Sequence, residues 1–237
     1  MCSEKEMMER EEQNNLNMFE VDPSISKDYL NKKIKKAFAV KAYARSAAEK
    51  IMDNPDNIRP PEILTKTLNY LMNEIIDIDK NEEISDRHFK LKVGDKYTFS
   101  DITFFVEDRF RSIRQDYTIL DLKGNKDCII CHEKIARFLI LCLNEGLDYE
   151  AFVGLQSLFK LFYQQLNATL TSLREYYEYV EQNSTAENTL YESENIGEFL
   201  AYSIILSFNE NFDLISMLNK IPKRAKHSKK VNKLNLN

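Results

Sequence analysis

The segment Phe105–Thr118 constrains the fold most, because apolar residues recur through it and the preceding turn at helical spacing. Arg109 and Asp116 lie at the edge of the resulting apolar stripe, whereas Arg111 points roughly away from it. Since an unpaired buried guanidinium is costly, we expect Arg109 to pair with a carboxylate, with Asp116 two turns further on as the candidate. The stripe predicts a core-facing helix whose charged pair serves packing. Its apolar members are Ile102, Phe105, Val106, Phe110, Ile113 and Tyr117.

Composition favours an all-α protein. The 237 residues contain only five Gly and five Pro, which leaves little turn material, and charged residues make up 30% of the chain. No apolar run approaches the roughly 20 residues of a membrane span, and the acidic start is unlike a signal or transit peptide. We therefore expect an intracellular chain without membrane insertion. Successive helices with short polar joins predict a right-handed stack of helical hairpins.

Breaks in the helical pattern divide the chain. Residues 1–20 are expected to form a poorly anchored charged arm or helix, residues 21–219 a helical domain with a polar insertion at 79–100, and residues 220–237 a basic tail. Gly124 and its neighbours are predicted to end the helix that contains Phe105. The other predicted helices are Tyr29–Met52, Glu62–Ile78, Cys128–Asn144, Phe152–Val180 (one helix, or two joined near 164–167), Gly197–Ser207 and Phe212–Leu218.

The string Cys128-Ile-Ile-Cys131-His132 has the spacing of a haem attachment site, a redox pair or half of a zinc site. Each of these requires a context that the sequence lacks: an export signal, a strand before the motif, or two further ligands. We interpret these residues as part of a helix. With three histidines and no Gly-rich phosphate loop, the sequence predicts no catalytic residue, no metal and no cofactor, and therefore no enzyme.

Charge is unevenly placed along the chain. Outside the tail, 26 basic residues face 38 acidic ones, whereas the tail has no acidic residue. Such a tail fits a nuclear-import signal, a phosphate-contacting arm or a solvated end. If it contacts RNA, the affinity falls steeply with salt. Its basic residues are Lys220, Lys223, Arg224, Lys226, Lys229, Lys230 and Lys233.

Eight blocks, in order, resemble the Sac/GANP family of mRNA-export scaffolds. The most specific is Phe105–Thr118, which matches the family's F..DR.R.IRQD.T string. The first block, MCSEKE, has Ser3 where the family usually has Pro. The other seven blocks are Met1–Glu6, Phe19–Glu20, Val40–Ala48, Ile58–Leu64 with Thr67–Leu71, His132–Phe138, Leu170–Leu173 and Glu198–Tyr202.

The resemblance implies a PCI/TPR-like helical array that acts as a non-catalytic scaffold. Its expected partners are a second PCI-domain subunit, a small acidic peptide, nuclear-pore proteins and mRNA, and its expected location is the nucleus, at the envelope and pores. The alternatives are a single-domain centrosome or spindle factor, with a cytoplasmic fraction, and another PCI-type complex subunit. The residues of its motif, Arg109, Asp116 and Arg114 together with Arg45 and Arg59, are then architectural.

The resemblance also has a departure. Family members continue from the helical part into a winged helix, and this sequence stops near Val231, about where that module would begin. We therefore expect no C-terminal winged helix, in either a reduced scaffold or a shortened product. The basic tail is then the only visible substitute for RNA binding.

Overall fold

The computed structural model describes residues 1–21, 33–44, 57–76, 99–148, 156–185 and 190–207. Within these ranges the regular structure is helical, apart from an isolated antiparallel bridge between Val21 and Ile34. The all-α prediction is confirmed for this part of the chain. The helices are α1 (Glu4–Glu12), α2 (Pro61–Tyr70, continued by a π-helical turn over Leu71–Ile75), α3 (Phe99–Ile119), α4 (Lys126–Asp148), α5 (Gln156–Asn183) and α6 (Ile196–Ser207).

The chain forms two compact units, Met1–Leu120 and Asp121–Asn237, and the boundary falls inside the predicted helical domain. In the first unit, α2 and its π-helical turn pack against α3. In the second unit, α4 packs on α5 and α5 on α6. From α2 to α3 and from α4 to α6, helices that follow each other in sequence are thus neighbours, as in the predicted helical hairpins.

The predicted apolar stripe of α3 is the core of the first unit. All six of its members are at most 2% exposed. Full burial of such side chains stabilises a fold by about 1.5–3 kcal/mol each, so this stripe is a principal reason why the segment is helical here. Arg111 lies off the stripe as predicted, with its guanidinium carbon 3.9 Å from the centroid of the Tyr43 ring.

The N-terminal segment is better anchored than the sequence predicts. Ser3 caps α1, because its Oγ accepts a hydrogen bond from the amide of Glu6 at 3.2 Å. Met7 and Arg10 are buried. Helix α1 then ends where Asn14 adopts a left-handed backbone, with φ of 52°. The expectation of poor anchorage is therefore wrong, because the sequence does not show where the single buried arginine of α1 finds its partner.

The predicted helix Tyr29–Met52 is wrong over its described part, 33–44. These residues contain the bridge at Ile34, a turn at 36–38 and no regular secondary structure at 39–44. Apart from the turn, in which the amides of Phe38 and Ala39 donate to the carbonyl of Lys35, amides of this segment donate to side chains and carbonyls that are distant in sequence. Glu11, for example, accepts from the amide of Ile34 at 2.7 Å. Tertiary hydrogen bonds have overridden a local preference for helix, as weak propensities allow.

The end of α3 also differs from the prediction. Asp121, with φ of 49°, supplies the left-handed residue after Ile119, and no described glycine has a positive φ. Gly124 serves another purpose, which is close packing. A Cβ at Gly124 would lie 3.1 Å from Tyr179 Cε1 and 3.3 Å from Leu190 Cδ1. Its small size, not its backbone freedom, is what this position requires.

In the second unit, α4 is the buried central helix that its apolar sequence predicts, and α5 is one continuous helix instead of two. The described residues do not include Arg45 or the segments 77–98 and 208–237. Nearly all of the predicted insertion, the predicted helix at 212–218 and the basic tail therefore lie outside them. No helix among the residues that the structure describes is both long and apolar enough to cross a membrane.

Candidate functional site

The first unit contains a buried ion-pair cluster centred on Glu20. Its carboxylate is completely buried and pairs with two guanidiniums, those of Arg10 and Arg109. The Arg109 Nη2 to Glu20 Oε2 distance is 2.9 Å, and Arg109 also pairs with Asp108. Because Glu20 comes from the segment after α1 and Arg109 from α3, this cluster joins elements that are 89 residues apart in sequence.

The Glu20 cluster also holds the segment 39–44, which has no regular secondary structure. Arg10 Nη1 donates to the carbonyl of Val40 at 3.2 Å. The amide of Lys41 donates to the carbonyl of Met1 at 3.3 Å, and three other amides of this segment donate to carboxylates from different elements. These bonds are Val40 N to Glu20 Oε1 (3.0 Å), Ala42 N to Glu6 Oε1 (2.8 Å) and Tyr43 N to Asp108 Oδ2 (3.2 Å). The side chains thus satisfy the backbone groups that a sheet would otherwise pair.

Electrostatics within this cluster favour the charged form of Arg10. Burial lowers the pKa of Arg10, but the hydrogen bond and the charge of Glu20 outweigh that effect and leave the pKa raised. Arg10 therefore remains a cation throughout the physiological range. The guanidinium of Arg109 also lies over the Phe105 ring, 4.6 Å from its centroid, which adds a cation–π contact.

A second cluster centres on Asp116, whose side chain is also fully buried. Lys41 Nζ lies 2.7 Å from Oδ1, and Arg59 Nε lies 2.6 Å from Oδ2. Arg59 Nη2 donates to Ser112 Oγ at 2.7 Å, and Lys41 Nζ also donates to the carbonyl of Asn57 at 2.7 Å. Asp116 thus ties α3 to the residues just before α2 and to segment 39–44.

The predicted pairing of Arg109 with Asp116 is wrong. The two residues are seven positions apart on α3, which places them about 10 Å apart along the helix axis. Each reaches a different partner from outside the helix: Glu20 for Arg109, and Arg59 with Lys41 for Asp116. Their shared edge of the stripe was predicted correctly, but it carries two clusters instead of one pair.

The other predicted network residues divide. Arg59 belongs to the Asp116 cluster. Arg114 is half-buried, and its charge acts on Glu107. The prediction for Arg45 stays a prediction. The sequence did not place Glu20, Arg10 or Lys41 in this buried network, although Glu20 and Lys41 stand inside family-like strings (Phe19–Glu20 and Val40–Ala48). A charged residue inside such a string was the available signal.

Glu107 of α3 has a buried carboxyl group, and nearby cations offset the cost of burying its charge only weakly. Arg111 Nε is 3.7 Å from its Oε1, too long for a hydrogen bond. Burial raises the pKa of Glu107 to about 7; the charge of Arg111 and Arg114 opposes this rise, and that of Asp108 adds to it. The folded state therefore holds this proton more tightly than the unfolded state does.

The raised pKa of Glu107 gives a stability prediction. The stabilisation that comes from the tighter proton binding of Glu107 is complete below its pKa in the unfolded state, 4.5. It is lost as the pH rises through the pKa in the folded state, about 7. Glu107→Gln, which mimics the protonated form, is expected to be about 1–3 kcal/mol more stable than wild type at pH 8 and similar to it at pH 4.5. Urea unfolding at both pH values measures this, with exposed Glu62→Gln as the control. An equal difference at both pH values would contradict the assignment.

Cys128 and His132 of α4 are both buried in the core of the second unit. His132 Nδ1 lies 2.8 Å from the carbonyl oxygen of Cys128, and its Nε2 lies 3.4 Å from Tyr176 Oη. Burial raises the pKa of Cys128 to about 12, so the thiol stays protonated at neutral pH and is a poor nucleophile. Within the described ranges, no group of three His, Cys, Asp or Glu residues is arranged to hold a metal ion.

A third buried polar cluster lies in the second unit, around Glu133 of α4. Tyr177 Oη donates to Glu133 Oε1 at 2.8 Å, Ser193 Oγ donates to the same oxygen, and Asn195 Nδ2 donates to Oε2 at 2.9 Å. Glu133 thereby fixes the segment that leads into α6 against α4 and α5. On the surface of the same unit, Arg137 makes a two-point ion pair with Glu198, at 2.8 and 2.9 Å.

Taken together, these clusters define a class of protein: a helical protein in which charged residues of the sequence motifs form buried ion pairs between separate segments. Comparison with known proteins then gives the family. The model of the SAC3/GANP family matches residues 1–234, and this chain belongs to that family. No solved structure matches it significantly.

Two curated relatives show the same relationship. SAC3 family protein 1 of Schizosaccharomyces pombe is 34% identical over 178 residues, which is 75% of this chain and 15% of that protein. Protein xmas of Drosophila melanogaster is 31% identical over 153 residues, or 65% of this chain and 6% of that protein. The chain therefore spans only a small part of the length of either relative.

Proposed function

We propose that this chain is a non-catalytic scaffold subunit of a complex that couples transcription to mRNA export at the nuclear pore. The observation that carries the proposal is the role of the charged residues that lie in the family-like strings. Glu20, Lys41, Arg59, Arg109 and Asp116 all lie in such strings, and all are committed to buried ion pairs that join separate segments. Residues used in this way preserve a shape, and a preserved shape is what a scaffold offers its partners.

The chemistry of the described residues favours the same conclusion. Cys128 has a raised pKa and His132 is bonded within the core, so neither is poised for acid–base or nucleophilic work. In the clusters around Glu20 and Asp116, the central carboxylates are fully buried and are engaged by cations of the fold itself. A protein of this kind acts through its helical surfaces.

The proposed partners follow from the family. They are a second PCI-domain subunit, a small acidic peptide and proteins of the nuclear pore, and the proposed location is the nuclear envelope. Contact with mRNA is assigned to the basic tail, whose seven cations supply charges for phosphate.

Depletion of the protein tests the export role. If it scaffolds export, its rapid depletion is expected to cause polyadenylated RNA to accumulate in the nucleus, because transcripts no longer reach the pore. In situ hybridisation with oligo(dT) measures the nuclear-to-cytoplasmic ratio, and re-expression of the wild-type chain is the control. Spindle or centrosome defects with an unchanged RNA ratio would contradict the export role and favour the centrosomal alternative.

A further inference from the structure

Arg111 of α3 lies between two groups that can each bind its charge. Its guanidinium carbon is 3.9 Å from the centroid of the Tyr43 ring, which belongs to segment 39–44. Its Nε is 3.7 Å from Oε1 of Glu107, one helical turn earlier. The first distance is that of a cation–π contact, whereas the second is too long for a hydrogen bond. The guanidinium is therefore bound by the aromatic ring and lies beside the carboxyl group without bonding to it.

Glu107 is a buried acid whose interactions are incomplete. Its side chain is only 4% exposed, and among the residues that the structure describes, its Oε1 has no hydrogen-bond partner. The charged residues of this part of the chain that act on it, Arg111, Arg114 and Asp108, all belong to α3. A carboxyl group in such a place is stable as the neutral acid, and its ionised form requires a cation within hydrogen-bond reach.

Loss of the Glu107 proton changes which contact of Arg111 is the stronger. A hydrogen bond between a guanidinium and a buried carboxylate carries charge on both partners and is among the strongest in proteins. A cation–π contact of a partly exposed guanidinium is weaker. Because residues 107 and 111 are neighbours on the helix surface, a change of side-chain rotamer is enough to join them. The neutral acid offers no such attraction, so the ring keeps the guanidinium at low pH.

We propose that Glu107, Arg111 and Tyr43 form a proton-operated switch, in which Arg111 stacks on Tyr43 while Glu107 is protonated and binds the Glu107 carboxylate once the proton is lost. The backbone of Tyr43 takes no part, because its amide donates to Asp108 Oδ2 at 3.2 Å. The switch therefore releases the aromatic side chain alone and makes the surface around it sensitive to pH. The inference goes beyond the export proposal and does not rest on it.

Nuclear magnetic resonance of the full chain tests the switch, with 13C in the tyrosine rings and 15N and 13C in the arginines. The ring signal of Tyr43 is assigned by its absence from Tyr43→Phe, and the Nε signal of Arg111 by its absence from Arg111→Gln. Burial raises the pKa of Glu107 to about 7, so we expect both signals to move in one step with a midpoint near that pH. Detection of the Nε signal through carbon avoids loss by proton exchange.

Two variants show whether Glu107 operates the switch. Glu107→Gln cannot ionise, and we expect it to hold both signals at their low-pH wild-type positions at every pH. Glu62→Gln, which changes an exposed side chain of α2, is the matched control and should keep both steps. Circular dichroism checks that each variant is folded.

Arg111→Gln gives the reference for a Tyr43 ring without its cation. We expect the ring signal of this variant to be independent of pH and to resemble the high-pH signal of the wild-type chain. If the variant does not fold, the comparison of Glu107→Gln with Glu62→Gln still decides the matter, because it uses the wild-type guanidinium.

Three outcomes would overturn the proposal. One is a wild-type Tyr43 signal that does not move between about pH 5.5 and about pH 8.5. Another is a step that persists in Glu107→Gln, which would mean that a different titrating group moves the ring. A third is a step at Tyr43 without one at Arg111 Nε, since the ring would then sense the new charge while the guanidinium stayed in place. Loss of both steps in Glu107→Gln alone supports the switch.

Discussion

Glu20→Gln is expected to destabilise the first unit by about 3–5 kcal/mol, because it leaves the guanidiniums of Arg10 and Arg109 buried without their shared anion. The variant also weakens the acceptor of the Val40 amide. An amide in place of the carboxylate keeps the shape, so the loss reports on charge. Urea unfolding followed by far-ultraviolet circular dichroism measures it.

The matched control for this variant is Glu9→Gln. Glu9 is on α1, has an exposed side chain and is in none of the buried clusters. Its replacement is expected to change stability by less than about 0.5 kcal/mol. Arg109→Ala should fall between the two, because Glu20 keeps Arg10 as a partner. If Glu20→Gln unfolds at the same urea concentration as Glu9→Gln, the cluster is not what holds the unit together.

Asp116→Asn is the second large effect, again about 3–5 kcal/mol, since it leaves Arg59 and Lys41 facing each other without an anion. Lys41→Met placed in the same chain removes one of the two stranded cations. We therefore expect the double variant to be more stable than the sum of the single changes implies. A double-mutant cycle from urea unfolding gives this coupling free energy.

Asp121→Asn is the control for the second cluster. Asp121 is exposed, it pairs with exposed Lys123 at 3.2 Å, and asparagine also tolerates its left-handed backbone. Its replacement should be nearly neutral. Strict additivity of Asp116→Asn and Lys41→Met would contradict the claim that these residues share one cluster.

Both clusters make the N-terminal segments a structural part of the first unit. Arg10 and Glu20 contribute buried charges, and Lys41 a partly buried one, that pair with α3 or its neighbours. Removing or displacing these residues therefore strands charges in the core of the unit. The segment should act on partners indirectly, through the shape of the unit that it stabilises.

Local patterns predicted the helices well where burial decides the structure. The stripe on α3 and the apolar helix α4 follow from periodicity alone, since burying those faces is what stabilises them. Segment 39–44 could not be predicted in the same way. Its residues are compatible with a helix, and its observed conformation depends on hydrogen bonds to groups distant in sequence, among them carboxylates of α1, α3 and Glu20.

The candidate site was only partly visible from sequence, for a related reason. Burial of Arg109 and Asp116 follows from their position at the edge of a stripe. Their partners do not, because Glu20 is 89 residues from Arg109 and Arg59 is 57 residues from Asp116. Long-range pairs of this kind depend on the packed fold, which residue spacing within one helix does not encode. The role of Gly124 was missed likewise, because its close neighbour Tyr179 is distant in sequence.

We propose that this member of the SAC3/GANP family acts as a scaffold for an export complex. Affinity purification of the tagged chain from its own cells, followed by mass spectrometry, tests it most directly, with the Glu9→Gln chain as a folded control. We predict that a second PCI-domain subunit, a small acidic peptide and pore proteins stay bound. Recovery of spindle-pole components instead, or of no stable partner, would contradict the claim.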